Sequence, residues 1–224
     1  MDSFLSLFFP PCCLVCGQLL VEGERWMCVS CHIGLPAVPA FYDLSDRIES
    51  FLQGRVPLLR ADAWLGYQKE SDYRQLVFHL KYKGNWEVGE ELGRCMAVAF
   101  RSQGFFDGID VLVPVPLHKH RYWQRGYNQS ECIARGVSAV TGLPVVTDLV
   151  RRVRHTSTQT RLDAEHRWEN VQDSFLMHSG LAEGKHILLI DDVLTTGATL
   201  ASCAVAFEGV KGIRVSVLTL AVAF

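Results

Sequence analysis

Four apolar residues in unbroken succession, Ile187-Leu-Leu-Ile190, do not alternate with polar ones, which predicts a strand buried on both faces. Just past them Leu200, Cys203, Ala204 and Phe207 recur at i, i+3, i+4 and i+7, one face of a helix. Both patterns recur along the chain. Ala61 to Tyr67, Ile109 to Val115, Leu143 to Leu149 and Ile213 to Ala221 predict further strands. Tyr73, Leu76, Val77 and Leu80 share a helical face, with Ser71 as candidate N-cap and Gly84 as candidate C-cap. Val88, Leu92, Cys95, Met96 and Ala99 define a second helix that ends before Gly104. Ile133, Gly136, Val137 and Val140 define a third, stopped at Gly142-Leu-Pro144. Residues 44–54 predict a short helix, and Leu35-Pro-Ala-Val-Pro-Ala40 reads as a linker. Strands alternating with helices imply an α/β class with a central parallel sheet and right-handed crossovers.

Composition adds bounds. The 224 residues are 49% hydrophobic and 21% charged, the balance of an ordinary globular protein with one large domain and room for a small appendage. A net charge of −2 gives no global attraction to nucleic acid or anionic membrane. No run approaches the ~18 apolar residues of a membrane span. The apolar start has no basic residue before Arg25, so a cytoplasmic location is the expectation.

The chemistry concentrates where the first strand ends. Asp191 and Asp192 follow it directly, at the carboxyl end, where open α/β sheets bind ligands. Thr195-Thr196-Gly197-Ala198-Thr199 is small, hydroxylated and permissive of unusual backbone angles, and it opens the next helix. N–H groups at a helix N-terminus make an anion site. The order is therefore strand, acidic pair, phosphate cradle, helix. It is not the P-loop, because no Lys follows the Gly, and it is not GxGxxG. The plainer reading is a capped helix with two solvated acids, but capping needs one polar residue rather than two acids and three threonines.

This segment resembles the phosphoribosyl-pyrophosphate (PRPP) motif of the type I phosphoribosyltransferases. The resemblance implies that Asp191 and Asp192 accept hydrogen bonds from the two ribose hydroxyls, and that Thr195 to Thr199 wrap the 5′-phosphate. It also implies Mg²⁺ bound with PRPP, and a pyrophosphate loop after the Ile109–Val115 strand, starting at Leu117-His118-Lys119.

Eight cysteines fall unevenly. Cys95, Cys132 and Cys203 sit in helical patterns as small core residues, whereas five lie before residue 32. Cys13-Leu-Val-Cys16 and Cys28-Val-Ser-Cys31 form CxxC pairs eleven residues apart, and two such turns can bring four thiolates into a tetrahedron around structural zinc. Cys12 and His32 are spare ligands, and a disulfide or a redox CxxC are the alternatives. The segment is too short for its own core, so metal would supply its folding free energy.

Two basic clusters stand out against the negative total. One is His118, Lys119, His120, Arg121 and Arg125; the other is Arg151, Arg152, Arg154, Arg161 and Arg167. Clustered Arg suits bidentate phosphate recognition, although charge runs are usually solvated surface. Lys81 and Lys83 read equally as helix C-terminal charges or as phosphate ligands. Tyr122, Trp123 and Tyr127 interleave with Arg121 and Arg125; packing is their plainer role, base stacking the sharper one.

The whole series is Phe9-Pro-Pro before the Cys₄ ribbon, Leu80-Lys-Tyr82, Val113-Pro-Val-Pro-Leu-His118, Arg121…Arg125-Gly-Tyr-Asn-Gln129, His155-Thr156…Gln159…Leu162…Arg167…Asn170 and the PRPP motif. In that order it resembles the ComF family of bacterial competence proteins over nearly the full chain. The resemblance implies a type I phosphoribosyltransferase fold behind a zinc ribbon, divided as 1–40 ribbon, 41–105 connecting hood and 106–224 core. It implies PRPP as ligand and a role in natural transformation, with single-stranded DNA and a competence DNA helicase as partners. If the chain is an enzyme, Asp191 and Asp192 orient the ribose, and Lys119, Arg121 or Arg125 stabilise departing pyrophosphate. If it is a binding module, the same surface holds single-stranded nucleic acid.

Overall fold

A computed structural model describes residues 10–38, 54, 56–67, 70–153, 175–178, 180 and 182–223. Four strands make a wholly parallel sheet in the order β1 (Leu58–Tyr67), β6 (Arg214–Ala223), β5 (His186–Leu194), β2 (Val111–Pro114). The unalternating runs explain the central pair. Ile187 to Ile190 and Leu218 are all fully buried, because helices cover both faces.

On one face Ile187, Leu189, Val215 and Val217 meet α6 (Ala198–Val205) through Leu200, Cys203 and Ala204, with Phe207 beyond its end. On the other, Leu188, Ile190, Leu218 and Leu220 meet three helices: α2 (Arg74–Tyr82), α3 (Trp86–Arg101) and α5 (Gln129–Thr141). α3 and α5 approach closely at glycines. A Cβ on Gly93 would stand 2.2 Å from the Ile133 carbonyl oxygen, and one on Gly136 would stand 2.0 Å from that of Glu90.

Several expected boundaries move. The strand after Gly142 is not formed. Leu143 to Leu149 makes one parallel bridge, Val145 to Leu112, before the chain turns away. Pro144 has no N–H to give a ladder, and Thr147-Asp148 is an exposed bend. Strand pairing resumes at β3 (Val150–Arg152), antiparallel to β4 (Phe175–Met177) in a separate two-stranded sheet. β5 runs on past Ile190 to Leu194, so Asp191 and Asp192 lie within the strand, beyond the last residue that β2 pairs. Ser71 caps the turn before α2 rather than its first residue, accepting from Tyr73 N–H at 3.3 Å. Gly84 has the expected left-handed angle, φ 70°, just past that helix. The helix expected over 44–54, apart from Gly54, and the segment holding Arg154, Arg161 and Arg167 lie outside the described residues.

The N-terminal unit is two turns and a short helix, α1 (Val29–Ile33). Its exit is stitched to β1, with Val38 N–H on Trp64 O and Gly66 N–H on Pro36 O, both 2.8 Å. Leu14, Val15, Trp26, Met27 and Leu35 pack on the α2/α3/α5 core. No helix among the described residues is long and apolar enough to cross a membrane. The expected class is the observed one: α/β, a central parallel sheet flanked by helices, with a small Cys₄ unit in front.

Candidate functional site

The acidic pair sits where β5 outruns β2. Asp191 Oδ1 accepts from the Ser130 hydroxyl and from Asp192 N–H, both at 2.9 Å. Its register neighbour Thr219 has a buried hydroxyl without a partner among the described residues. Burial, then the adjacent Asp192, pushes the Asp191 carboxyl up to about 7 against the opposing pull of Asp192 N–H, Ser130 and Lys81. Asp192 is answered from across the fold, with Lys81 Nζ at 3.0 Å from its Oδ2 and both side chains largely buried.

The cradle follows at once. Thr195, Thr196 and Thr199 are exposed, and Gly197, φ 95°, is the N-cap of α6 with no side chain to fill the turn. Thr196 Oγ1 accepts from Ala198 N–H at 3.4 Å. These positions form an open, hydroxyl-lined helix N-terminus beside the two carboxylates.

A cavity of about 700 Å³ is lined by Lys81, Tyr82, Gly84, Arg121, Gln124 and Arg125. Lys81 is thus shared between the cavity wall and Asp192. It is ion-paired rather than a free helix-end charge, while Lys83 lies over the Phe78 ring at 5.8 Å. Arg121 and Arg125 come from α4 (Lys119–Arg125). Arg125 is held twice, donating to Gln129 Oε1 at 2.7 Å and stacking over the Tyr82 ring at 5.5 Å. Leu117, His118 and Lys119 lead into α4 without lining the cavity; His118 Nδ1 caps the helix by accepting from His120 N–H.

The residues that follow Arg125 make contacts that the sequence did not reveal. Asn128 Oδ1 caps α5 by accepting from Ser130 N–H, and its Nδ2 donates to Val115 O at 3.0 Å, tying the helix start to the end of β2. Ser130 is thereby aimed at Asp191. The signal was a polar trio, Asn-Gln-Ser, heading an apolar helical face; all three are buried. Tyr127 packs and donates to Leu80 O at 2.5 Å, as the plainer reading held. Tyr122 and Trp123 overturn it: they are 49% and 85% exposed, on a short helix that has no buried residue. Of the second basic cluster, Arg152 lies over Phe175 at 5.1 Å, and its pKa is lowered by burial and then by Arg121.

The four cysteines Cys13, Cys16, Cys28 and Cys31 converge, with all sulfurs within 4.8 Å of one another. Cys16 and Cys28 Sγ are 3.7 Å apart, close to the ~3.8 Å edge of a tetrahedron with ~2.3 Å metal–sulfur bonds. Burial opposes ionisation of Cys13, but the backbone N–H groups of Cys16, Cys28 and Val15 bring its thiol down to about 6. The spare Cys12 turns away, its sulfur 3.5 Å from Pro10 O. A disulfide-free Cys₄ metal site fits this arrangement.

No family model matches the chain. Among curated proteins it is similar to Competence protein F of Haemophilus influenzae, 26% identical over 204 residues, covering 86% of this chain and 89% of that protein. It is also similar to the DNA utilization protein YhgH of Salmonella typhimurium, 32% identical over 200 residues, covering 86% of this chain and 82% of that one. Among solved structures, 58% of the chain matches 25% of a glutamine PRPP amidotransferase from B. subtilis complexed with ADP and GMP, at TM-score 0.40 and 20% identity. With nearly a third of its residues shared over most of both chains, the protein belongs to the ComF family of competence and DNA-utilization proteins.

Proposed function

We propose that the carboxyl end of β5 binds PRPP and transfers its phosphoribosyl group to a nitrogen acceptor, in the service of DNA uptake and use. The observation that carries this reading is the meeting of three chemistries at one edge. Two carboxylates suit ribose hydroxyls, a hydroxylated helix N-terminus suits a phosphate, and a cavity lined by Lys81, Arg121 and Arg125 suits a second, larger anion. PRPP has those three parts. Asp191, braced by Ser130, and Asp192 orient the ribose. Thr195, Thr196, Gly197, Ala198 and Thr199 hold the 5′-phosphate. Arg121 and Arg125 face the pyrophosphate, and Lys119 stands at the approach.

In the transfer, the acceptor nitrogen forms a bond to ribose C1 as the C1–O bond breaks. Pyrophosphate leaves with the bonding pair, and the acceptor's proton passes to solvent. Pre-placed cations lower the cost of the charge building on the leaving group. Magnesium, bound with the substrate, supplies further neutralisation of that charge. The Cys₄ unit is assigned structural zinc: four thiolates fill a tetrahedron and leave no position for chemistry.

A second reading rests on the exposed Tyr122 and Trp123 beside Arg121 and Arg125. Stacking faces next to phosphate-binding cations suit single-stranded DNA, delivered by or passed to a DNA helicase. Pyrophosphate release from PRPP, assayed against nitrogen acceptors, tests the transfer. Release that requires Asp191 and Asp192 supports it. Salt-sensitive DNA binding that survives their loss, with no release under any condition, favours the binding module instead.

A further inference from the structure

The Cys₄ knuckle and the anion site are joined by one helix. At its N-terminal end, Tyr73 directs its hydroxyl out of α2 and donates to the carbonyl of Cys31, a metal-site residue, at 3.1 Å. At its C-terminal end, Lys81 meets Asp192 at 3.0 Å and Tyr127 clasps the Leu80 carbonyl. Between them Leu76 and Leu80 are buried in the apolar cluster that also receives Leu14, Val15, Trp26 and Met27 of the knuckle. Nine helical residues span only about 13 Å, so the two ends move as one body.

A second feature marks the contact as fitted. Gly34, the residue after α1, has φ −81°, which any residue adopts. A Cβ there would nevertheless stand 2.8 Å from the Tyr73 hydroxyl. The absence of a side chain at position 34 is what seats Tyr73 against the knuckle.

We infer that Tyr73 is a positioning residue through which metal at the Cys₄ knuckle sets the affinity of the PRPP site. A metal-bound Cys31 has a fixed peptide plane, and its carbonyl is a fixed acceptor. Without metal the knuckle has too little core to hold its turns, and that acceptor is lost. α2 then keeps its apolar packing but loses its N-terminal tie, and Lys81 samples positions away from Asp192 and the cavity. Affinity falls by the fraction of molecules in which α2 is docked. The inference rests on the PRPP reading and adds a direction of control to it.

The test uses the full chain with its metal quantified, and measures the Kd of Mg²⁺–PRPP by calorimetry. Tyr73→Phe, which removes one hydroxyl, should retain one metal per chain and bind about fivefold more weakly, the effect of one hydrogen bond. Chelation should weaken the wild type by more than that, and Tyr73→Phe by a smaller factor than the wild type. Gly34→Ala should weaken binding in the wild type, yet add nothing in the Tyr73→Phe background, where the clashing hydroxyl is gone. That non-additivity separates positioning from general damage to the fold. If Tyr73→Phe with full metal binds like the wild type, or if the two substitutions weaken binding independently, the inference is overturned while the PRPP reading stands. If the metal-loaded wild type does not bind PRPP, both are overturned.

Discussion

Gly136 is the position where a single methyl group should do the most damage. It lies on α5 at the crossing with α3, and a Cβ added there meets Glu90 O at 2.0 Å, with Arg94 N and Glu90 C at 2.9 Å. Ordinary contact begins at 3.4 Å, so the shortfall is more than an ångström, and the atoms in the way are backbone. The helices must separate. Leu92, Met96, Ile133 and Val137, all 2% exposed or less, would lose packing together. Overpacking of this kind costs about 1–3 kcal/mol or somewhat more. Alanine's better helix propensity offsets about 1 kcal/mol of that. The net for Gly136→Ala is then roughly 2 kcal/mol, a fall in Tm of about 4–8 °C for a chain of this length. Thermal and urea melts followed by circular dichroism read it directly. Gly93→Ala, 2.2 Å from Ile133 O, should behave alike. Gly89→Ala should cost less, because its nearest neighbours, Cys132 Cβ and Leu80 Cδ1, stand at 2.8 Å rather than 2.0 Å, and the Leu80 end can rotate away. An unchanged or raised Tm for Gly136→Ala, or a larger loss for Gly89→Ala, would refute the reasoning.

Four further outcomes are expected. Chelation should release one metal per chain and lower Tm, and Cys13→Ser should purify with less than one metal, measured by mass spectrometry of the metal. PRPP affinity should rise with pH through about 7, by about tenfold between pH 6 and 8, because ribose hydroxyls need Asp191 ionised; Ser130→Ala removes a stabilising donor and should move the midpoint of that calorimetric titration upward. The same raised pKa means the fold binds this proton more tightly than the unfolded chain, so Asp191's contribution to stability declines as pH rises from the ordinary carboxylate range through about 7, and Asp191→Asn should raise Tm above that range. Asn128→Ala loses a helix cap and leaves Val115 O without its donor, a loss of roughly 2–4 kcal/mol in urea melts; Asn128→Asp, which keeps the capping oxygen but sets a buried carboxylate oxygen against Val115 O, should lose no less.

Much of this architecture was legible because it is local. The unalternating Ile187 to Ile190 run, the acids after it and the small-residue loop after those occupy one short stretch, and their order alone predicts a strand, an acidic pair and a helix N-terminus in succession, as the structure has them. The cysteine spacing carried the knuckle for the same reason. Leu143 to Leu149 misled because its apolar residues pack against the core, Leu149 buried and Leu143, Val145 and Val146 half-buried, while Pro144 and the Thr147-Asp148 bend deny it a ladder. Periodicity reports burial and is silent on hydrogen bonding. The contacts that shape the site were illegible because they join distant parts of the chain. Lys81 reaches Asp192 from a helix that patterning marks only as amphipathic, and Ser130 reaches Asp191 from the first turn of another. The exposure of Trp123 was hidden too, since an aromatic residue within a basic run has no period to reveal which way it faces.

The central claim is that the acidic pair and the cradle behind it form a PRPP site. Calorimetry of PRPP binding, with and without Mg²⁺, on the metal-loaded wild type and on Asp191→Asn/Asp192→Asn, tests it most directly. Binding by the wild type alone, strengthened by Mg²⁺, is the expected result. Absence of binding in a folded, metal-loaded wild type, or equal binding by the double variant, would contradict it.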